Sequence, residues 1–505
     1  MQQREQWGTR AGFVLAAIGS AIGLGNIWRF PYVAYENGGG AFFVPYLFAM
    51  LTAGIPFLIL EFGLGHKYRG SAPQIFAKLS KRWEWVGWWQ VLVCFVISIY
   101  YVAVVGWSIS YLFLAFNQGW GADTGDFFFK EFLALSDGPL DFGGIRWPIF
   151  ASVVVAWGIC WFVLFKGVKK GIETASKIFM PILFVMVLII TVRAVTLPGS
   201  LEGLNWMFKP DFSALLNIDV WVAAYGQLFY SLSIGFAIML TYSSYLPKES
   251  DISNNAFITA FANCGFSIIS GILVFSVLGN MALNQGVGVD QVVKSGVGLA
   301  FVTIPKAINY LPSPVFFGTL FFTALIFAGL SSHISICETC VASLMGKFDL
   351  NRKKAVTIYC LFGLFTGTIF ATNSGLYILD IVDHFINNFG VLAAGLVEII
   401  LLAWFCKLET FQKHINRTSD FAVGNWWIFC LKFVTPLVLG YISVAKLIAD
   451  IRVGYEGYPA NALFYFGWLV VVMVVVIGVI LQTTTLMGKG AASSPVKSNR
   501  SIEEG

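Results

Sequence analysis

Charged side chains are scarce in this sequence. Only 12% of its 505 residues are Asp, Glu, Lys or Arg, against roughly 25% in soluble globular domains. Mean hydropathy is +0.76. This composition excludes a soluble enzyme and a disordered chain. The apolar segments are long and continuous, which excludes a transmembrane β-barrel, because barrel strands alternate in polarity over short stretches.

The cysteines lack the spacing of a disulfide framework, because all eight fall inside apolar segments. We therefore predict buried thiols at Cys94, Cys160, Cys264, Cys337, Cys340, Cys360, Cys406 and Cys430. Cys337 and Cys340 form a CxxC pattern, but it has no second pair and no histidine cluster beside it. The pattern therefore predicts neither a redox site nor a zinc site.

Apolar runs of about twenty residues, the length that crosses a bilayer as a helix, are abundant. Twelve are bounded by charges, Gly and Pro, at residues 11–36, 41–65, 86–116, 147–165, 173–196, 221–245, 255–283, 313–346, 354–373, 375–406, 424–448 and 461–487. They predict an all-α polytopic membrane protein with 12 transmembrane helices. No cleavage site precedes the first run, which we expect to be retained.

Basic residues set the expected orientation. Arg10, Lys67, Lys166 and Arg352, with neighbouring Lys and Arg, fall in loops on one side of the predicted membrane. The positive-inside rule places this side, and both termini, in the cytoplasm. We therefore expect a multi-pass protein of the cell (inner or plasma) membrane that contacts lipid and binds no nucleic acid. Residues 1–10 and 488–505 would be cytoplasmic.

Two predicted spans contain residues that weaken a helix in mid-membrane. The first holds Gly23, Gly25 and Asn26, and the sixth holds a similar stretch at 226–235. Close helix packing explains isolated glycines, but it does not explain a buried amide followed by Arg29. Interrupted helices at matching positions of two halves are typical of inverted-repeat transporters.

We therefore predict a 5+5 inverted repeat in which helices 1 and 6 are unwound. The first repeat covers residues 11–196 with helices 1–5, and the second covers 221–406 with helices 6–10. Helices 11 and 12 follow within 424–487. The binding site of such a protein lies near the bilayer midplane, between the repeats.

The run GSAIGLGNIWRFPYVAYENGGGAFFVPY, residues 19–46, resembles the signature of the neurotransmitter:sodium symporter family, which includes bacterial amino-acid transporters. Further matching motifs are REQW (4–7), GQLFYSLSIGF (226–236), SGVGLAF (295–301) and FAGLSSHIS (327–335). The resemblance covers nearly the whole chain. It implies sodium-coupled symport of a neutral amino acid by alternating access, with no organic cofactor and no obligate protein partner.

Backbone N–H groups exposed where the first span unwinds can receive a carboxylate, and Gly23 leaves room for it. Relatives that carry monoamines resemble this segment but have an aspartate at the Gly23 position, so its absence favours a substrate with its own acid group. The resemblance makes Tyr101 the hydroxyl donor to that group. The implied substrate-binding set is Ser20, Ala21, Gly23, Leu24, Gly25, Ile97, Tyr101, Tyr230, Ser231, Ser233, Phe236, Ser332 and Ile336.

The resemblance also implies two sodium sites built from carbonyl, amide and hydroxyl oxygens, which are hard ligands. The residues of the first site are Ala21, Asn26, Ser231 and Asn263. The residues of the second site are Gly19, Ile22, Ala328, Ser331 and Ser332. The substrate carboxylate would complete the first site, which would link the affinities for ion and substrate.

A chloride site is expected beside the first sodium site. Gln227 and Ser231 lie four residues apart, as do Asn263 and Ser267, so each pair shares one helix face. In similar family members these positions, with Tyr46, bind chloride, while many bacterial relatives have an acid where this chain has Ser267. We therefore expect chloride dependence. The alternatives are another carboxylate nearby, or no need for a balancing charge.

The resemblance implies gates on both sides of the site. On the outer side it pairs Arg29 with Asp383, and Tyr101 and Tyr230 would cover the substrate. The aliphatic and hydroxyl lining of the pocket favours a neutral α-amino acid.

On the inner side, Arg4 and Trp7 match the family's latch, but the usual aspartate position is Gly346, and Asp349 is the nearest substitute. Glu61 is expected to lock helices together and not to bind a ligand. His333 follows Ser332 directly, so it would recognise a polar substrate side chain if it faced the pocket; the alternative is a histidine packed in the interior.

Other functions stay open at this point. Taurine or a γ-amino acid is an alternative substrate, although such carriers usually have a glycine where Ser233 stands. An uncoupled facilitator would use the same broken helices, because sequence does not report coupling. A membrane-embedded enzyme would need paired catalytic groups or an HExxH run, which the sequence lacks.

Overall fold

A computed structural model describes residues 5–292 and 296–484 of the chain. Every regular element in these two ranges is helical, and the only strand-like contacts there are isolated bridges. Ten helices are long and apolar enough to cross a membrane, or eleven if a bent pair counts as one span. The prediction of an all-helical polytopic membrane protein is confirmed. Arg4 and the predicted tail at 488–505 lie outside the described residues.

The helices fall into two groups. Those long enough to span a membrane, with the bent pair α1 and α2, are α1 (Arg10–Ala21), α2 (Leu24–Glu36), α3 (Gly40–Tyr68), α5 (Lys81–Ala115), α6 (Trp147–Phe165), α7 (Val168–Val195), α11 (Ile252–Gln285), α13 (Pro314–Phe348), α14 (Arg352–Ala371), α15 (Gly375–Phe405), α17 (Asn425–Val453) and α18 (Ala460–Thr483). The shorter ones are α4 (Ala72–Leu79), α8 (Ser200–Phe208), α9 (Ile218–Ser231), α10 (Ile238–Ser243), α12 (Gly296–Ile308) and α16 (Leu408–Thr418).

The first and sixth predicted spans are both divided. The first, 11–36, forms α1 and α2, which bend by 52° at a short break. The sixth, 221–245, forms α9 and α10, each too short to count as a candidate span. The number of twelve transmembrane helices therefore stays a prediction, as does the inverted repeat.

The break between α1 and α2 follows from local backbone chemistry. Ile22 and Gly23 adopt extended dihedral angles, which end α1 after Ala21. The Asn26 side chain accepts a hydrogen bond of 3.0 Å from Gly23 N, so it caps the new helix. An amide in this position starts a helix, which is why the sequence can break inside an apolar run.

The break between α9 and α10 contains left-handed backbone. Gly235 has φ +85°, where a glycine fits without strain, and Ser233 and Ala237 also have positive φ. Glu61 of α3 accepts a hydrogen bond of 3.0 Å from Gly235 N and so holds the loop from the side. This contact matches the helix-locking role expected for Glu61.

Helix α3 packs very closely against α10. A Cβ atom added at Gly65 would lie 2.0 Å from Ser243 Oγ and 2.2 Å from the Leu240 carbonyl oxygen, so only glycine fits there. Ser243 Oγ also lies within hydrogen-bonding distance of the Glu61 carbonyl oxygen, at 3.2 Å. The loop between α9 and α10 is thus anchored to α3 at Glu61, and α10 itself packs on α3 at Gly65.

The long helices differ in how much of each lies inside the protein. Of the most apolar stretch, 78% is buried in α11 and 72% in α5, but only 28% in α17 and 22% in α18. The exposed side chains of the outer helices are large and apolar, such as Leu437 and Val453. Such a surface suits contact with hydrocarbon, and the polar groups described below lie on the inner helices.

Candidate functional site

A cavity of about 490 Å³ lies where the two helix breaks meet. All thirteen residues predicted to bind substrate line it, and so do Asn26, Arg29, Gln227 and Asp383. Its size is in the range of small-molecule sites. The structure thus brings the predicted substrate residues together, while their individual roles stay predictions.

One end of the cavity suits a carboxylate. Leu24 N, in the first turn of α2, donates a hydrogen bond of 3.3 Å to the Tyr101 hydroxyl. A Cβ atom added at Gly23 would lie 3.0 Å from Ser332 Oγ and 3.1 Å from Tyr101 Oη. The space beside Gly23 is therefore bordered by two hydroxyls and a helix N-terminus, which favour an anion.

The residues predicted for the first sodium site meet around the side-chain amide of Asn263. One terminal atom of the Asn263 amide lies 2.8 Å from Asn26 Nδ2 and 3.2 Å from the carbonyl oxygens of Ala21 and Ser231. If this atom is the amide oxygen, it lies against two other oxygens, which repel it. If it is the amide nitrogen, it lies against the N–H group of Asn26, which cannot accept a hydrogen bond. A cation among the three oxygens removes the conflict, so these residues fit a sodium ion.

The residues predicted for the second sodium site surround Ser332. Its hydroxyl lies 3.3 Å from the Gly19 carbonyl oxygen, 3.2 Å from that of Ser20 and 3.3 Å from that of Ile22. One hydroxyl proton cannot serve three carbonyl oxygens, so this group also fits a cation. The sequence missed the Ser20 carbonyl.

Ser331 lies beside this group. Its Oγ donates a hydrogen bond of 3.0 Å to the Ala328 carbonyl oxygen within α13. A Cβ atom added at Gly19 would lie 3.3 Å from Ser331 Cβ, so α1 and α13 approach closely here. All five predicted residues of the second site thus lie at the contact of α1 with α13.

The residues predicted for chloride adjoin the first sodium group. Asn26 Nδ2 donates to Ser267 Oγ at 2.8 Å, and Asn263 Nδ2 donates to Ser231 Oγ at 2.9 Å in one of its two amide orientations. The Tyr46 hydroxyl is fully buried and has no hydrogen-bond partner among the described residues. The same holds for Gln227 Oε1. The Tyr46 hydroxyl can donate to an anion beside a cation, whereas Gln227 would have to turn its NH2 group toward such an ion.

Arg29 and Asp383, the expected outer gate, both line the cavity but form no ion pair within the described ranges. The Arg29 guanidinium lies 4.3 Å from the centre of the Tyr230 ring. Asp383 accepts hydrogen bonds of 2.7 Å from the Tyr100 hydroxyl and 2.8 Å from Asn387 Nδ2. The pairing stays a prediction, and it would require the two side chains to approach across the cavity.

The sequence missed several polar residues near this end of the cavity. Asp380 accepts hydrogen bonds from the hydroxyls of Tyr455, at 3.0 Å, and Tyr458, at 2.9 Å. Burial and the neighbouring Asp380 carboxylate raise the pKa of Tyr458, so its hydroxyl stays a donor at neutral pH. Asp380 precedes Asp383 by one helical turn of α15, a spacing that could have indicated a shared face.

Of the residues expected in the inner latch, Trp7 and Asp349 lie within the described part of the chain. Trp7 is buried and donates a hydrogen bond of 2.8 Å from Nε1 to the Tyr242 carbonyl oxygen. Its predicted partner Arg4 lies outside the described residues. Asp349 is exposed at the end of α13 and makes no ion pair with any described residue. Its role as the inner acid stays a prediction.

A buried ion pair lies close to Trp7. Arg352 donates to both oxygens of Glu338, at 2.8 and 2.7 Å, and to Glu5 at 2.8 Å. The Tyr245 hydroxyl donates to Glu338 at 2.6 Å. An acid inside the apolar run of α13 was the available signal, because such a charge needs a partner.

His333 is fully buried and does not line the cavity. Its ring lies 4.8 Å from that of Trp157 and 6.5 Å from that of Tyr101, centre to centre. His333 therefore does not face the pocket in this structure, as it would have to in order to recognise a substrate side chain.

The comparisons with known proteins agree with the geometry. The sequence profile of the Sodium:neurotransmitter symporter family matches residues 4–124 and 120–487. An uncharacterized sodium-dependent transporter of Methanocaldococcus jannaschii is 43% identical over 481 residues, covering 95% of this chain and 98% of that protein.

Two animal relatives are more distant. A sodium-dependent dopamine transporter of Caenorhabditis elegans is 30% identical, over 90% of this chain and 82% of that protein. A sodium- and chloride-dependent taurine transporter of Bos taurus is 29% identical, over 92% and 82% respectively. The chain therefore belongs to the sodium:neurotransmitter symporter family, whose members are membrane transporters and not enzymes.

Proposed function

We propose that this protein is a sodium-coupled symporter of a neutral amino acid that works by alternating access. The observation that carries the proposal is the oxygen group formed by Ala21, Ser231 and Asn263, at the point where α1 and α9 both end. A cation bound there would connect the two broken helices. Ala21 and Ser231 also line the cavity in which a substrate carboxylate would fit.

Coupling would follow from the opposite charges of ion and substrate. A sodium ion at Ala21 and a carboxylate beside Gly23 would attract each other strongly, because the interior has a low dielectric constant. Each would raise the affinity for the other by the same factor, since linkage is reciprocal. Occupancy by both would favour the closed form, in which Tyr230 and Arg29 cover the site.

The cavity walls favour a neutral side chain. Ile97, Phe236 and Ile336 contribute apolar surface. The two nearby hydroxyls are already engaged: Ser233 donates to the Ser20 carbonyl oxygen at 2.9 Å, and Ser20 Oγ lies 2.7 Å from Ser335 Oγ. The space beside Gly23 would thus hold the carboxylate of an α-amino acid, while the charged side chains of Arg29, Asp380 and Asp383 lie at the expected outer end.

Taurine or a γ-amino acid is the second candidate, supported by the taurine-transporting relative. Ser233 argues against it, because its side chain occupies volume in the cavity where a longer substrate would extend.

We further propose that both termini are cytoplasmic, that 11–196 and 221–406 are the inverted repeats, and that two sodium ions and one chloride ion bind per chain.

Uptake into proteoliposomes under an imposed sodium gradient tests the proposal. We expect concentrative uptake of at least one neutral amino acid from a labelled panel, and its loss when potassium replaces sodium. Taurine and γ-aminobutyrate belong in the panel. Exchange that proceeds equally well without sodium would identify an uncoupled facilitator and overturn the proposal.

The chloride site gives a separate prediction. We expect replacement of chloride by gluconate to lower uptake by at least about tenfold, a coupling of ordinary size. Ser267→Glu should remove this dependence, because a carboxylate would supply the missing negative charge beside Asn26. Ser267→Ala is the matched control, since it adds no charge and should keep the dependence. Equal uptake by the unmodified protein with and without chloride would contradict the prediction.

A further inference from the structure

A cluster of soft ligand atoms lies at the contact of α6, α13 and α14, outside the substrate cavity. Cys160 Sγ, Cys337 Sγ and a ring nitrogen of His333 all lie within 4.8 Å of one another. All three residues are fully buried. Cys360 of α14 lies beside Cys160. None of these residues lines the cavity or belongs to the ion groups described above.

The backbone fixes this arrangement. His333 and Cys337 are four residues apart on α13 and so share one face. Helix α6 packs against that face and contributes Cys160. His333 Nε2 already lies 3.5 Å from Cys337 Sγ. Cys340, the other cysteine of the CxxC pattern, is not part of the cluster, because its Sγ donates to the Val91 carbonyl oxygen.

The imidazole of His333 lacks a strong partner. Within the described residues, the hydrogen-bond partner of its ring nitrogens is the Cys337 thiol, at 3.9 and 3.5 Å. A thiol is a weak donor and a weak acceptor. The rings of Trp157 and Tyr101 pack against the imidazole. A fully buried polar ring in such surroundings is costly unless something else binds it.

We propose that Cys160, His333 and Cys337 bind one zinc-class divalent ion, with Cys360 as the available fourth ligand. Thiolate and imidazole are preferred ligands of this ion. Ligand atoms of a tetrahedral zinc site lie about 3.5–3.8 Å apart. The 3.5 Å distance meets this range, and small side-chain rotations would close the others.

Charge balance favours a divalent ion here. On binding, the thiols of Cys160 and Cys337 each release a proton to solvent, and His333 binds as the neutral imidazole. With these three ligands, two thiolates and one divalent cation sum to zero charge, whereas Cys360 as a fourth ligand would release one more proton and leave one negative charge. A neutral complex avoids most of the cost of burying charge in a low-dielectric interior. The ion would tie α6 to α13 and act as a structural brace, because the cluster lies outside the cavity.

Metal content of the purified full-length protein tests this proposal. Because the ligands are buried, the ion should enter as the chain folds, so cells are grown with zinc and the protein is purified without chelator. We expect about one zinc per chain by elemental analysis. Growth with cobalt should give the thiolate-to-cobalt charge-transfer absorption. Both signals should fall at least about tenfold in Cys160→Ser and in Cys337→Ser.

Cys430→Ser is the matched control, since Cys430 is a buried thiol of α17 outside the cluster, and it should keep the metal. Size-exclusion profiles identify folded variants, and His333→Gln provides a third test if a cysteine variant misfolds. Absence of metal from the unmodified protein would overturn the proposal. So would copper in place of zinc, a disulfide detected by mass spectrometry, or zinc retained by all three variants. Since no readout is transport, failure here leaves the proposed symport unaffected.

Discussion

Gly23→Ala is expected to lower uptake of the amino acid roughly 100-fold while leaving the protein folded. The added Cβ would lie 3.0 Å from Ser332 Oγ and 3.1 Å from Tyr101 Oη, in the space where we place the substrate carboxylate. The substrate carboxylate would lose two charge-assisted hydrogen bonds, each contributing about 1.5 kcal/mol. This loss corresponds to a roughly 100-fold fall in kcat/KM. The backbone itself would tolerate alanine, because Gly23 has a negative φ.

Gly226→Ala is the control for this prediction. It makes the same change in the other broken segment, and its Cβ would meet no atom within 4 Å. We expect near-normal uptake from this variant. Radiolabelled uptake in proteoliposomes measures both, and sodium-induced thermal stabilisation reports whether the ion still binds. A normal KM for Gly23→Ala would show that the carboxylate binds elsewhere.

Asn263→Ala is expected to have the second large effect, a fall in sodium affinity of roughly 10- to 100-fold, the range seen when a supporting group of a metal site is removed. The substitution deletes the amide atom that lies 3.2 Å from the carbonyl oxygens of Ala21 and Ser231. Without it, an ion would have fewer oxygens around it. The sodium concentration that gives half-maximal uptake should rise accordingly.

Asn280→Ala is the control on the same helix. This residue is also buried in α11, and it loses a comparable hydrogen bond, of 2.9 Å to the Pro198 carbonyl oxygen. Half-maximal sodium should be unchanged in this variant even if the protein is somewhat less stable. If Asn263→Ala and Asn280→Ala required the same sodium concentration for half-maximal uptake, Asn263 would not be a ligand of the ion.

The sequence predicted the helical architecture well, because uninterrupted apolar length is a strong signal of a membrane helix. It also identified helix-weakening residues in the first and sixth predicted spans, since glycines weaken a helix and an amide inside an apolar run can cap a new one. Unwound helices 1 and 6 in an inverted repeat stay a prediction. Helices α9 and α10 are each shorter than a membrane-crossing helix, so the predicted number of twelve spans could not be verified from helix length. Family resemblance supplied the residues around the cavity.

Other features depend on packing that no local pattern reports. The Ser20 carbonyl near Ser332 carries no signature, because every residue has a carbonyl oxygen. Glu338 meets Arg352 and Glu5 only through the tertiary fold. Cys160 lies far in sequence from His333, so no local spacing indicates that the two side chains meet. These contacts follow from how helices pack, which sequence spacing alone does not encode.

The anchoring of the α9–α10 loop to α3 has a mechanical consequence. Glu61 holds Gly235 N, and Gly65 leaves no gap between α3 and α10 through which one could slide past the other. The sixth span therefore cannot flex at its break as a free hinge. We expect α3, α9 and α10 to move together as one rigid unit. Ligand binding at Ser231 would then shift α3 along its whole length.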